Sequence, residues 1–306
     1  MPSLASRAMP LAMAVRGTKK ALSSAETTRA QVDAQLRRPA RWRPPRWLDR
    51  MVDVTVSRGA GWPVYDLHPR GRSPHRRALY LHGGAYVAQV VLHHWLFVAR
   101  LAVATDTRIS VPIYPLAPLA TAREVVHATT DLAAAVLRAA GAKNTVLMGD
   151  SAGGGLALAV AQGLRRRGLP TPSDTVLISP WLDVSMSNPA IRDIERRDPM
   201  LAAAGLRVAG DLYRGDLPAD DPRVSPLHGD LGGLGPVTLF SGTRDVLHPD
   251  AERFARAARA ARVPVAYRPA PGMLHVYPLL PIPEARAARD AIRTALASSG
   301  RYGGPH

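Results

Sequence analysis

Thr145-Val146-Leu147-Met148-Gly149-Asp150-Ser151-Ala152-Gly153-Gly154-Gly155-Leu156-Ala157-Leu158 is the stretch whose reading decides the fold. Its first four residues form an apolar, β-rich run of strand length. From Ala152 to Arg167 the chain turns to alanine and leucine at helical spacing. The strand therefore enters the helix directly, and Gly149-x-Ser151-x-Gly153 occupies the corner. Small residues flank Ser151 because so tight a turn brings another backbone close. A serine at such a corner projects its hydroxyl above the sheet, and the first amides of the helix point at the same spot. The competing reading is a phosphate-binding glycine turn. That would need G-x-G-x-x-G with a later acid, or a lysine in the turn, and neither is present.

The alternation continues on both sides. Ala78–Leu81, Ile109–Tyr114, Thr175–Ser179, Val237–Ser241 and Val263–Arg268 read as further strands. Ala122–Ala140, Asp250–Arg262 and Pro283–Ser298 read as helices between and after them. Strands alternating with helices predict an α/β fold, with a mostly parallel central sheet covered by helices on both faces. Val52–Ser57 and Val64–Leu67 bracket GAGWP and predict an antiparallel hairpin at the sheet edge. Two regions break the pattern. Residues 1–48 are helical and end in the proline-rich PARWRPPRW, and 183–230 are rich in Pro, Asp and Arg, with an amphipathic insert from Met200 to Tyr213. Additions at strand ends are where a cover over a site is built.

A serine hydroxyl needs a base near pH 7. On this architecture the chain order is serine, acid, histidine. Of the histidines after Ser151, His228 comes before the last two strands, His248 is three residues from the candidate acid, and His306 ends the chain. His275, in Pro271-Gly272-Met273-Leu274-His275 beyond the last strand, is the expected base. Asp245 ends the strand Pro236–Gly242 through Thr243-Arg244 and is the expected acid, whereas Asp250 reads as a first-turn residue of the next helix. Upstream, His82-Gly83-Gly84-Ala85-Tyr86 follows a strand and can present backbone N–H groups to an oxyanion, joined by the N–H of Ala152.

Composition excludes several alternatives. The 306 residues contain no cysteine, so disulfides, thiol nucleophiles and cysteine-ligated metals are ruled out. The net charge is +16, and only Lys19, Lys20 and Lys143 of its 40 basic residues are lysine. Arginine spread along helical stretches reads as solvated faces, not as a nucleic-acid site. Residues 1–50 are denser, with 11 basic and three acidic residues, which suits an anionic membrane surface or acidic partner. The apolar run Leu11–Val15 is too short for a signal peptide. Ala85–Ala104, the most membrane-like stretch, contains Gln89, His93, His94 and Arg100, and reads as a loop and a buried helix. The expected compartment is the cytoplasm.

Together LHGGAY, YPLAP (Tyr114 to Pro118), GDSAGGGLAL, DPRVSPL (Asp221 to Leu227), GTRD and PGMLH resemble the hormone-sensitive-lipase-like (HGGG-type) α/β-hydrolases, a family of bacterial esterases. The resemblance runs from about residue 76 to 298. It implies an α/β-hydrolase fold, with Ser151 as nucleophile, His275 as base and Asp245 as orienting acid. It also implies an oxyanion hole from Gly84, Ala85 and Ala152, with Gly83 as a further donor. Residues 1–48 and an insertion at about 183–215 would form a helical cap on a domain spanning 49–306. The implied activity is hydrolysis of carboxylic esters of short to medium acyl length, with no metal or cofactor. Amide or N-acetyl hydrolysis by the same triad, and a non-catalytic ligand- or membrane-binding role, remain open. Tyr86, Trp181 and Tyr277 are candidate pocket residues, each equally readable as core. Expected partners are a small-molecule ester, no nucleic acid, and a homodimer as an option. Two departures from the family pattern stand out: Ala85 where a third glycine is common, and Leu119 where Glu usually follows the YxLAP segment.

Overall fold

A computed structural model describes residues 3, 8–9 and 19–298. The run Leu11–Val15 and the tail carrying His306 lie outside the described residues. The elements are α1 (Ala25–Arg37), β1 (Val52–Gly59), β2 (Trp62–Pro69), β3 (Arg76–Leu81), α2 (Leu92–Thr105), β4 (Thr107–Pro112), α3 (Ala122–Ala140), β5 (Thr145–Asp150) and α4 (Ala152–Arg166). There follow β6 (Asp174–Ile178), α5 (Ile191–Glu195), α6 (Ala203–Arg214), β7 (Val237–Gly242), α7 (His248–Ala260), β8 (Val265–Ala270) and α8 (Ala285–Ser298).

The strands form one sheet in the order β1-β2-β4-β3-β5-β6-β7-β8. Only β2 runs against its neighbours; from β4 to β8 every pairing is parallel. This is the expected α/β architecture. The β1–β2 hairpin closes through Ala60 and Gly61, both at positive φ, as a two-residue turn matched to strand twist requires. Side chains alternate across the sheet. Leu79, Leu81, Leu147, Leu177 and Leu239 enter one core with α3, α4 and α7. Tyr80, Val146, Met148, Ile178 and Phe240 enter the other with α2 and α8. Central strands buried on both faces explain why these runs read as continuously apolar in the sequence.

The chain leaves β3 toward β4 on one side, and β5 lies on the other. The loops after β3 and β5 therefore flank the crevice where the strand order reverses, the usual place for a site in an open α/β sheet. Above it, α1 packs on α6. The approach is close because position 205 is glycine: a Cβ there would meet the Leu22 carbonyl and the Thr28 hydroxyl. Ser24 starts α1 with its hydroxyl accepting the Thr27 amide at 3.1 Å. Among the described residues, no helix is long and apolar enough to cross a membrane.

Candidate active site

The corner between β5 and α4 is held by backbone contact. A Cβ at Gly149 would run into the Gly153 carbonyl, and one at Gly153 into the Leu81 carbonyl. Ser151 sits at φ 53° and ψ −123°, a conformation that costs an L-residue about 1–3 kcal/mol. The surroundings enforce it: the Ser151 amide donates to the Ile178 carbonyl at 2.9 Å, and its carbonyl accepts from Trp181 and Gly154.

Ser151 Oγ lies 3.0 Å from His275 Nε2, and His275 Nδ1 lies 2.8 Å from Asp245 Oδ2. Asp245 is fully buried, and its other oxygen accepts the Leu247 amide at 2.9 Å. A carboxylate only accepts, so Nδ1 carries the proton and Nε2 is left to accept from the serine hydroxyl. Burial works against the His275 imidazolium, but the Asp245 carboxylate, with Asp198 and Asp150 behind it, outweighs burial and raises the pKa. The loop bearing His275 is fixed by the Val276 amide, which donates to Ser179 Oγ at 3.0 Å. Asp250 sits in the first turn of α7 and accepts from Asn188 at 2.8 Å, not from His275.

Gly84 and Ala85 border the cavity beside Ser151. Their N–H groups, and that of Ala152, have no protein acceptor among the described residues. Gly83 is a correction. Its amide donates to Asp150 Oδ1 at 3.0 Å, so it is not free to serve as an oxyanion donor. Ala85 and Tyr86 both adopt positive φ, so the alanine in place of a third glycine is accommodated by strain. The YPLAP segment braces the loop. Tyr114 Oη donates to the His82 carbonyl at 2.5 Å, and the Ala117 amide to the Tyr86 carbonyl at 2.9 Å. Leu119 is 76% exposed, a solvent position for the residue that departs from the family pattern.

Beneath the loop lies a group of residues that the sequence reading missed. Asp150 Oδ1 also accepts from Tyr80 Oη at 2.5 Å, and Oδ2 faces His94 Nε2 at 3.3 Å. The Val91 amide donates to His94 Nδ1 at 3.0 Å, so the ring proton is on Nε2 and points at Asp150. Burial opposes the Asp150 charge, but His94, Tyr80 and Gly83 outweigh it and hold the carboxyl below its usual range. Burial and the neighbouring His94 push His82 down to about 4, so it is neutral at pH 7. Asp150 lies inside the motif already read, but nothing in the sequence marks Tyr80 or His94 as its partners.

A cavity of about 370 Å³ opens on Ser151 and His275. Leu22, Val87, Met200, Leu201, Leu206 and Leu279 give it an apolar wall. Tyr86, Trp181 and Tyr277, read as candidate pocket residues, are a second correction. All three are buried and none borders this cavity. Tyr86 stacks between Trp181 and Tyr213 and serves the core. A larger cavity of about 910 Å³ lies at the opposite ends of the strands, by Lys143, Asp174 and Arg268, away from Ser151.

Residues 78–279 match a family described as alpha/beta hydrolase fold. The chain is 34% identical over 247 residues to a "Triacylglycerol lipase" of Mycobacterium tuberculosis, covering 78% of this chain but only 50% of the lipase. It is 34% identical over 217 residues to an "Acetyl-hydrolase" of Streptomyces hygroscopicus, covering 69% of this chain and 72% of that protein. The crystal structure of an esterase from the bacterial hormone-sensitive lipase family superposes with a TM-score of 0.76 at 27% identity, over 88% of this chain and 98% of that one.

Proposed function

Because the chain belongs to the α/β-hydrolase family, and within it to the hormone-sensitive-lipase-like esterases, we propose that it cleaves carboxylic esters through an acyl-enzyme formed on Ser151. The observation that carries this is the unbroken hydrogen-bond chain from Ser151 Oγ through His275 to buried Asp245, at the floor of an apolar cavity. His275 Nε2 takes the serine proton as Oγ attacks the carbonyl carbon. Asp245 holds the tautomer and stabilises the imidazolium that forms. The amides of Gly84, Ala85 and Ala152 receive the tetrahedral oxyanion, each such donor being worth roughly 10²–10³ in rate. The imidazolium then protonates the leaving alcohol, and water, deprotonated by the same nitrogen, releases the acid.

The cavity supports a neutral substrate of short to medium acyl length. Its volume is at the low end of the about 300–1,000 Å³ typical of small-molecule sites. Among the described residues the one carboxylate at its edge, Asp150, is already committed to Tyr80, Gly83 and His94, so a cationic ligand would be buried without a partner. Residues 19–48 and 183–215 act as the cap in this reading, since Leu22 and Gln31 on one side and Met200 to Leu206 on the other wall the cavity.

The test is hydrolysis of p-nitrophenyl esters of increasing acyl length, wild type beside Ser151→Ala. Turnover that declines with chain length and disappears in the variant supports the reading. Turnover confined to p-nitroacetanilide would move it to amides, and ester turnover that survives Ser151→Ala would overturn it.

The cap's outer surface supports an anionic membrane as a partner. Arg37, Arg38, Arg41, Arg43 and Arg46 are exposed and form no ion pair among the described residues, and Trp47 beside them is 45% exposed. Exposed arginines without ion pairs, beside an exposed tryptophan, suit anionic headgroups. Sedimentation with phosphatidylglycerol-containing vesicles at low salt, but not with pure phosphatidylcholine, is the expected outcome. Replacing the five arginines by glutamine should abolish it, and equal binding to both vesicles would exclude it.

A further inference from the structure

Between α5 and α6 the strap Glu195–Leu201 is held from three directions. Lys19 Nζ donates to the carbonyls of Glu195, at 2.5 Å, and Asp198, at 2.7 Å. Arg244, next to the candidate acid, donates to the Arg197 carbonyl through Nε at 3.3 Å and Nη2 at 3.1 Å. The third hold is Asp198 itself, which is 2% exposed. Its Oδ1 accepts the amides of Met200 at 2.7 Å and Leu201 at 3.0 Å, the two residues that wall the cavity. Its Oδ2 accepts the Val246 amide at 3.0 Å. The next amide, Leu247, goes to Asp245. Successive N–H groups of one turn thus hold two carboxylates, one of the acid loop and one of the cap.

Resting on the serine-hydrolase reading above, we propose that Asp198 is a positioning residue of the site: it pins the turn that aims Asp245 at His275, hangs the Met200–Leu201 wall from the same turn, and adds a second negative charge behind the histidine. Among the described residues, the buried Asp198 carboxylate has three amide donors and no cation on either oxygen. Removing it with an apolar side chain would strand three N–H groups, and its charge falls where an imidazolium must form. Burial, then the Asp245 charge, raises the Asp198 pKa, against the Met200 and Val246 amides and His275. The ionisable groups facing His275 are Asp245 on the acid loop, Asp198 on the strap and Asp150 at the end of β5. Those facing Asp198 are Asp245 and His275, with Lys19 and Arg244 on the adjacent carbonyls.

The test compares Asp198→Asn, which keeps the shape and an acceptor oxygen, with Arg244→Met, which frees the strap but keeps the Asp198 charge. Two readouts are taken: the pH profile of kcat/KM on a p-nitrophenyl ester, and the titration of His275 followed by ¹⁵N-histidine NMR. In Asp198→Asn we expect kcat/KM at pH 7 to fall tenfold or more, about, and the acid limb and the NMR midpoint of His275 to move down together by about half a pH unit or more. KM should rise more for longer acyl chains than for acetate. Arg244→Met should lower kcat/KM and leave the midpoint in place. A midpoint unmoved in folded Asp198→Asn overturns the proposal, whatever happens to rate or melting temperature. A wild type without ester turnover, whose His275 midpoint still moves in Asp198→Asn, keeps Asp198 in this role and overturns the esterase reading instead. If Asp198→Asn does not fold, Asp198→Glu keeps the charge and displaces the pin; an unchanged kcat/KM there overturns it.

Discussion

The two sides of the site are built differently. On the nucleophile side, the corner at Ser151 is backbone packed on backbone, with the Gly149, Gly153 and Leu81 chains too close for any Cβ. On the acid side, Asp245 and His275 stand on loops fixed by side chains reaching across the fold: Asp198 to Val246, Ser179 to Val276, Arg244 to the Arg197 carbonyl. The first arrangement cannot yield without collision, because protein interiors are close-packed. The second can lose one bond and shift by fractions of an ångström. In the proposed mechanism stiffness therefore belongs to the strained serine, and adjustability to the histidine that would move the proton and the carboxylate that would orient it.

That contrast can be broken outright. Gly153→Ala should give no active, native-like protein, since the new methyl collides with the Leu81 and His82 carbonyls and no side chain can give way. Circular dichroism and thermal melting check this, and a folded, active Gly153→Ala would show the corner to be softer than described. On the acid side, Asp245→Asn should melt cooperatively but lose about 10⁴-fold in kcat. Asp250→Asn, five residues on, should leave turnover nearly unchanged, because its partner is Asn188. Equal losses at both would reassign the acid.

The pH profile sharpens the comparison further. His275 must be neutral to act as base, and its pKa is raised, so kcat/KM should climb with pH to above the usual histidine range of about 6.5, tenfold per unit on the acid limb. A limb below that range would mean that the carboxylates do not reach the ring. The smallest effect is expected at Ala85→Gly. Relief of a positive φ, about 1 kcal/mol, is offset by the glycine's greater freedom in the unfolded chain, about 0.4–1 kcal/mol. Melting should move by no more than about 3 °C.

The legible part of the fold is what local chemistry encodes. The helix Ala122–Ala140 appears with its expected bounds, because Glu124 receives the Thr121 amide at its start and Gly141 follows its end. The last strand was expected at Val263–Arg268 and lies at Val265–Ala270. Val263 belongs instead to the exit of α7, where its amide donates to the Ala258 carbonyl. In the site, Ser151, Asp245 and His275 were readable because each follows a strand within a short motif. Asp198, His94, Tyr80 and Ser179 were not, since no short motif marks them and only the fold brings them to partners 48, 56, 70 and 97 residues away. The aromatic residues beside the motifs, equally readable as pocket or core, point into the core because the chain turns there.

By itself the sequence determined the order of strands and helices, the corner at Ser151 and the identity of the three residues joined there by hydrogen bonds. The first two rest on propensity and period along the chain; the third rests on the chain order serine, acid, histidine at strand ends and on the resemblance to the family. Only the tertiary structure decided that the Gly83 amide is taken by Asp150, that the cavity wall is aliphatic, and that Asp198 ties the cap to the acid loop. Those features depend on which buried donor meets which acceptor across the sheet. Such pairings are chosen by the packing of the whole chain, because a buried polar group left without a partner is costly.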